Sequence, residues 1–415
     1  MMRILNVNKY YQLTGGGDRF FFDMAHILTT RGHEVIPFCL SYPGNLETPY
    51  AHYFPEGISG HDAARQSILS KLRLFRNGIY SIESKKSLRK LLRDVRPDVA
   101  HLHILHYTMS PSVIDVLNEE GIPIIFSLHD YRIVCAGGYL YTQNAPCERC
   151  KGGRFYNAVR YRCYRNNRMQ SFMGAAGNYL YHFSHLYEKI DAFTVPQEEM
   201  AGIVQSFGLP WNKIHILKNP MLERDPPQAN PTLGDFALFY GNLSPQKGIF
   251  TLVKAAAQNP DIPLIICGTG SAMDALRSTI RALRATHIEI DPLTRWNHGL
   301  QKKIQAARFV VSPSEWPAPL EYSTVETMSL GKAIVASRIG GNQLVVDEKS
   351  TGMLFTPGNV EELRDTMAYL YARPSLCLKM GLRARSRFET LFSEDIFYQE
   401  LMGIYQKALD ARASR

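Results

Sequence analysis

Thirty residues, Ser312 to Gly341 (SPSEWPAPLEYSTVETMSLGKAIVASRIGG), concentrate the residue types that can do chemistry. A short apolar strand ending near Ser312 runs into a loop of prolines and aromatics. A helix is expected to open at Ser323 with Glu326 one turn in, and the buried strand AIVAS leads to a glycine pair. An open loop at the carboxyl end of a strand, feeding a helix N-terminus, is where α/β sheets bind phosphorylated ligands. A carboxylate in that first turn suits ribose hydroxyls. Ser323-x-x-Glu326 also matches a capping box that merely closes a helix, so other motifs must decide.

A second cluster is Cys135, Cys147, Cys150 and Cys163, spaced C-x11-C-x2-C-x12-C in a segment rich in Gly, Arg and Tyr. Four thiolates with C-x2-C at the centre could hold a structural zinc tetrahedrally. The segment has little apolar material of its own, so a metal staple would help it fold. The alternative is reduced thiols in an irregular insertion. Cys39, Cys267 and Cys377 read as isolated core or helix residues. An odd count of seven cysteines, with no signal peptide in MMRILNVNKYY, favours the reducing cytosol.

These residues need elements to position them. Strand, Gly-rich turn and helix open the chain (RILNVNKYY, TGGGD, RFFFDMAHILTTRGH), with Phe20, Met24, Ile27 and Leu28 at helical spacing. Short apolar runs follow: EVIPFCL, DVAHLHI, IPIIFSLHD and AFTVP, mostly separated by helical patterns. A proline-rich stretch from Asn219 to Thr232 reads as a linker. The alternation then restarts with FALFYGN, PLIICGTG, HIEID, RFVVSPS, KAIVAS and MLFTP. Strand and helix alternating over this length predict parallel, doubly wound sheets. A last helix near Glu394 to Ala411 lies beyond the second sheet.

At 415 residues the chain suits two domains, and 45% hydrophobic with 20% charged residues is ordinary for a globular protein. No apolar run approaches the roughly 20 residues of a membrane span. The net charge of +9 is uneven. Nine Lys or Arg lie between Lys71 and Arg96, and seven between Arg149 and Arg168, the latter interleaved with Phe155, Tyr156, Tyr161 and Tyr164. Such faces suit an anionic membrane surface; a solvated helix face is the plainer reading. A nucleic-acid partner is not expected, because it leaves the two Rossmann-like halves unexplained.

Further motifs stand in order along the chain. Gly15, Gly16 and Asp18 precede Arg31-Gly32-His33-Glu34-Val35; RPDVAHLH runs from Arg96 to His103, and a strand ends in Ser127-Leu128-His129-Asp130. KNP stands at Lys218 to Pro220, GNLSPQKG at Gly241 to Gly248 and ICGTG at Ile266 to Gly270. Together with the Ser312–Gly341 segment, these motifs resemble the retaining GT-B glycosyltransferases of family 4 over nearly the whole chain. The resemblance implies an α/β fold of two Rossmann-like doubly wound domains facing each other across a cleft, with the C-terminal helix crossing back to the first. Expected boundaries are 1–220 for the acceptor domain (with the Cys-rich insertion 135–163), 221–393 for the nucleotide-sugar domain and 394–415 for the returning helix.

The implied reaction moves a sugar, with retention, from a nucleotide-diphosphate donor to a saccharide or lipid-linked saccharide acceptor, as in cell-surface polysaccharide or O-antigen assembly. No metal or other cofactor is required for catalysis, and the expected location is cytoplasmic, peripheral at the inner membrane face. Negative charge grows on the leaving diphosphate, so cationic side chains and helix N-termini must stabilise it. Lys247 is the candidate cation, with Asn242, Gly248, Leu320 and Ser323 beside the donor and Glu326 on ribose. Gly15 and Gly16 would let the backbone of the first domain approach the donor phosphates or the acceptor. His129 matches the position beside the donor sugar in this family and is the expected catalytic residue. Asp18, Arg19 and Asp130 fall on the acceptor side. No protein nucleophile is named, because the family is described by same-face attack.

Three positions depart from the family pattern. Ala318 stands where the first of two glutamates is usual, with Glu315 and Glu321 nearby; Asn242 replaces an arginine and Leu344 a glutamate. A charged hydrogen bond is worth about 1.5–3 kcal/mol, so these losses leave two competitors open: a binding subunit with lapsed catalysis, and a nucleotide-sugar epimerase of similar fold.

Overall fold

The computed structural model describes residues 1–57, 77–106, 109–222, 233–294 and 299–414. By compactness the chain divides into two units, one of Met1–Leu140, Glu148–Pro220 and Glu394–Arg415, the other of Tyr141–Cys147 and Met221–Ser393.

In the first unit the strands are β1 (Arg3–Val7), β2 (Glu34–Phe38), β3 (Val99–Leu102) and β4 (Ile124–Ser127). A short hairpin, β5 (Tyr141–Thr142) and β6 (Ala145–Pro146), intervenes before β7 (Ala192–Val195) and β8 (Ile214–Ile216). The six long-range partners form a parallel sheet in the order β2-β1-β3-β4-β7-β8. Strands such as IIFS and AFTV are buried at every position, as a parallel sheet covered on both faces requires. Helix α1 (Gly16–Thr30) buries Phe20, Phe21, Met24, Ile27 and Leu28, on the spacing expected from sequence. Two elements were not expected. Edge strand β8 is only half-buried, and helix α2 (Arg168–Phe183) buries small and polar residues, Ser171, Gly174, Gly177 and Asn178 among them, which inverts the usual helical pattern.

The second unit repeats the architecture. Its strands are β9 (Ala237–Tyr240), β10 (Leu264–Cys267), β11 (Ile288–Asp291), β12 (Phe309–Ser312), β13 (Ile334–Ser337) and β14 (Gly352–Phe355). They pair in parallel in the order β11-β10-β9-β12-β13-β14. Helix α3 (Tyr322–Ser329) follows β12. The main core gathers Leu252, Ile266, Phe309, Val335, Phe355 and Met367 on one face of the sheet, while Leu238, Cys267 and Val310, at the alternate strand positions, belong to a second cluster on the other.

The last helix, α4 (Glu394–Ala413), packs in the first unit. Tyr405 reaches His101 (2.8 Å), Tyr398 reaches His33 (2.9 Å) and Phe397 meets Phe20 edge to face at 5.7 Å. The return expected from sequence is therefore made through aromatic and hydroxyl contacts. Residues 223–232, most of the expected linker, and the start of the first basic stretch (residues 71–76) lie outside the described residues.

Candidate functional site

In both sheets the strand order reverses beside the strand that begins the unit: between β1 and β3, and between β9 and β12. Loops at the carboxyl ends of two such strands leave a crevice between them, where open α/β sheets bind ligands. The GNLSPQKG loop follows β9 and the Pro313–Glu321 loop follows β12, so sequence motifs 70 residues apart meet at one switch point. The Glu315 amide donates to the Gln246 carbonyl at 2.9 Å. Gly248 has φ 67°, and a Cβ there would lie 1.8 Å from the Pro313 carbonyl oxygen. Only glycine lets these two loops approach so closely.

Lys247 is thereby aimed at the start of α3. Its Nζ lies 2.7 Å from Glu321 Oε1 and 5.9 Å from the Trp316 ring centre. Glu321 is the N-cap residue of α3 and is buried. It also accepts from Ser314 and, at 3.4 Å, from Ser312. Burial pushes this carboxyl up, but Lys247 and the serine hydroxyls outweigh it and hold it below its ordinary value. Ser323 is the second residue of the helix rather than its cap, so the capping box does not form. Its carbonyl accepts from Tyr240 (2.5 Å) and Thr327 (2.7 Å). Glu326 is buried in the same helix.

Sequence reasoning left Glu315 and Glu321 equivalent; the structure separates them. Glu315 accepts from Tyr141 (2.8 Å) and Thr251 (2.6 Å), while Glu321 holds the lysine. The loop is braced from below by residues that the motifs do not single out. Ser337 Oγ donates to the Ser314 carbonyl (2.6 Å), and Asn342 Nδ2 donates to the Ser337 carbonyl (3.2 Å). Gly340, at φ 56°, leaves room for the Ala318 carbonyl, which a Cβ would meet at 2.4 Å. Leu320 packs in the core cluster with Val325 and Met328, and Leu344 lies against the same cluster. Asn242 sits where a Cβ on Gly270 would meet its Oδ1 at 2.6 Å.

In the first unit His129 belongs to a buried network of three near-parallel or stacked imidazoles. His103 lies 4.7 Å from His101 and 5.3 Å from His129, ring to ring. Asn6 Nδ2 donates to the Phe21 carbonyl (3.3 Å), which leaves Asn6 Oδ1 to accept from His103 Nε2 (2.8 Å). His103 Nδ1 is then the lone pair that accepts from His129 Nε2 at 3.0 Å. The network therefore fixes both rings as Nε2–H tautomers and leaves His129 Nδ1 as an acceptor. Asn6 and His103 were not expected as functional residues. A signal existed: polar residues at alternate positions of buried strands (Asn6 and Asn8, His101 and His103) point to one face of the sheet.

Burial holds His129 down to about 4 and His101 to about 3, and His103 also lies well below its ordinary value. The unfolded rings protonate near pH 6.5, so between about pH 6.5 and 4 the unfolded state binds more protons. Stability is therefore full above about pH 6.5 and falls as pH drops toward 4, by at most about 2 kcal/mol per buried histidine at pH 5. Thermal melts should show a plateau from pH 8 to 6.5 and a fall of several degrees by pH 5. A melting temperature that holds steady to pH 5 would contradict this.

The remaining candidates organise loops. Gly15 is extended, and a Cβ there would meet nothing within 4 Å. Gly16 begins α1. Close approach falls instead on Gly17, where a Cβ would lie 2.7 Å from Ile104 and 3.3 Å from His129 Cγ; the third glycine of GGG was the one to notice. Asp18 is buried and accepts from Asn8 (2.8 Å) and the Thr14 amide (3.2 Å). Arg19 pairs with Asp23 (3.3 Å), and Asp130 pairs with Arg132. The zinc expected on Cys135, Cys147, Cys150 and Cys163 finds no support: among the described residues no group of three or more His, Cys, Asp or Glu is placed to hold a metal. Cys150 instead packs with Phe155 and Ala175, so apolar contacts from α2 supply the staple the segment lacks in sequence.

Residues 14–221, half of the chain, match the family model described as Glycosyltransferase Family 4, and residues 223–387 match Glycosyl transferases group 1. Alpha-maltose-1-phosphate synthase of Mycolicibacterium smegmatis is 28% identical over 41% of this chain and 47% of its own length. D-inositol 3-phosphate glycosyltransferase of Mycobacterium avium is 26% identical over 42% of each chain. The chain thus spans about half the length of the curated relatives it matches. Among solved structures, HepE of Anabaena in complex with UDP-glucose aligns over 100% of both chains at TM-score 0.65 and 15% identity. Sucrose-phosphate synthase of Thermosynechococcus elongatus aligns over 99% of this chain and 100% of its own at TM-score 0.70 and 16% identity. These likenesses are of fold, the GT-B class with two Rossmann-like domains. With one family model over half its residues and a second over most of the rest, the chain belongs to glycosyltransferase family 4.

Proposed function

We propose that the protein transfers a sugar from a nucleoside diphosphate donor to a saccharide acceptor, with retention and without a catalytic metal. The observation that carries this is the Lys247 ammonium at the N-terminus of α3, 2.7 Å from Glu321 Oε1 at the β9/β12 switch point. An ammonium has three hydrogens to donate. Glu321 takes one and holds the side chain in place, and the diphosphate takes the others together with amides of the first turn of α3. Glu326, buried one turn further along the same helix, accepts from the ribose. As the sugar–phosphate bond breaks, charge accumulates on the diphosphate oxygen, where the lysine and the helix N-terminus stabilise it. His129 keeps the catalytic role that the resemblance gives it, with its Nδ1 left as a hydrogen-bond acceptor by the network.

The proposed acceptor is lipid-linked and anionic. Lys9 is held down to about 8 by burial, then by the charges of Arg132 and Arg165, and positive surroundings of this kind suit a phosphate. HepE, solved with UDP-glucose, supports the nucleotide-sugar donor, and relatives named as maltose-1-phosphate and inositol 3-phosphate enzymes support the anionic character of the acceptor.

A thermal-shift screen against UDP, GDP, ADP, TDP and their common sugars tests the reading. One base should raise the melting temperature, since ligand at about 100 times its Kd stabilises by about 2.7 kcal/mol. Glu326→Ala should lose most of that shift. If no nucleotide stabilises the wild type, the changes at Ala318, Asn242 and Leu344 have disabled the site and the binding-subunit reading replaces this one.

A further inference from the structure

We propose that helix α2 docks this chain onto an anionic phospholipid bilayer. The helix is turned inside out. Its buried face carries Ser171, Gly174, Ala175, Gly177, Asn178 and Tyr181. Its solvent face carries Met169 (65% exposed), Phe172 (49%), Leu180 (41%) and Phe183 (78%). At about 100° per residue these four fall within an arc of about 80° and run about 21 Å along the axis. Tyr179 extends the stripe by stacking on Phe183, centroids 6.0 Å apart. Large apolar side chains gathered on one exposed face mark an interaction surface rather than scatter.

Charge selects the occupant. The seven Lys and Arg from Arg149 to Arg168 are all exposed, and no Asp or Glu occurs between Arg149 and Tyr187. A second copy presenting the same face would set these cations against each other. An apolar stripe preceded in sequence by seven exposed cations fits the plane between acyl chains and anionic headgroups, where a helix lies flat with its apolar side inserted. No helix among the described residues is long and apolar enough to cross a membrane. Tyr156, more than half exposed, joins the same surface: its amide donates to Tyr179 Oη at 3.2 Å.

The proposal does not rest on the donor site, and its test needs no nucleotide. The full chain is sedimented with phosphatidylcholine vesicles, alone and with about one third phosphatidylglycerol. Binding is expected only to the anionic vesicles and should weaken at high salt. The double variant Phe172→Ser with Phe183→Ser, and separately Arg165→Glu with Arg168→Glu, should each weaken it by about tenfold or more. All four positions are exposed, so both variants should melt like wild type, and either one alone suffices if the other fails to fold. Absence of binding to anionic vesicles would overturn the proposal, as would binding that both variants retain. A Phe183-dependent dimer in analytical ultracentrifugation without vesicle binding would assign the face to a second copy instead.

Discussion

Lys247→Ala is expected to lower kcat/KM for sugar transfer by about 10²–10³-fold, the usual cost of removing one group that stabilises charge developing in the transition state. Most of the loss should fall on kcat, because the leaving diphosphate gains charge as the bond breaks, whereas the ground-state donor already carries most of its own. The variant should also be less stable. Removing the lysine leaves the buried Glu321 carboxylate with only its serine donors, an imbalance worth about 1–3 kcal/mol. Glu321→Gln in the same chain should recover that stability without recovering transfer. This separates the structural role of the pair from the chemical one. Transfer within about threefold of wild type in Lys247→Ala would remove the lysine from the mechanism.

Gly248→Ala is the second change with a large expected effect, and it acts through backbone alone. The residue sits at φ 67°, where a side chain costs about 1–2 kcal/mol. The new methyl would also lie 1.8 Å from the Pro313 carbonyl oxygen. One of the two loops must move, so the loss should exceed about 3 kcal/mol, a fall in melting temperature of roughly 6–12 °C. Nucleotide binding should weaken as well, because the displaced loop carries Lys247. Gly241→Ala supplies the control: its φ is 141°, but a Cβ there meets nothing within 4 Å, so it should cost less. Equal melting temperatures for Gly248→Ala and wild type would refute the tight loop contact.

How much of this was legible in the sequence follows from what each feature depends on. The strands of both sheets, edge strand β8 apart, could be read because parallel strands buried on both faces appear as short apolar runs with polar breaks. The loops at the switch points could be read because GNLSPQKG and the Ser312–Gly341 segment keep glycine, lysine and carboxylate types in a fixed order. The pairing of Lys247 with Glu321 could not. It joins two loops without periodicity, and the motif itself placed the family's glutamate at Ala318. The histidine network was half legible: His101 and His103 alternate on one face, but their partners are Asn6, 97 residues from His103, and Tyr405, 304 from His101. The cysteine spacing alone does not decide a metal site, since it records which residues are near in sequence, and among the described residues no group of three or more His, Cys, Asp or Glu is placed to hold one. Helix α2 escaped notice because its apolar side faces outward, the reverse of the pattern by which helices are recognised.

The central claim is that a nucleoside diphosphate binds where the β9 and β12 loops meet α3. It is tested most directly by a crystal structure of the chain with the nucleotide that stabilises it in the thermal screen. The diphosphate should lie within hydrogen-bond reach of Lys247 Nζ and the first-turn amides of α3, with ribose hydroxyls on Glu326. A nucleotide held elsewhere, with Lys247 still closed on Glu321 and no ligand atom near Ser323, would contradict the account.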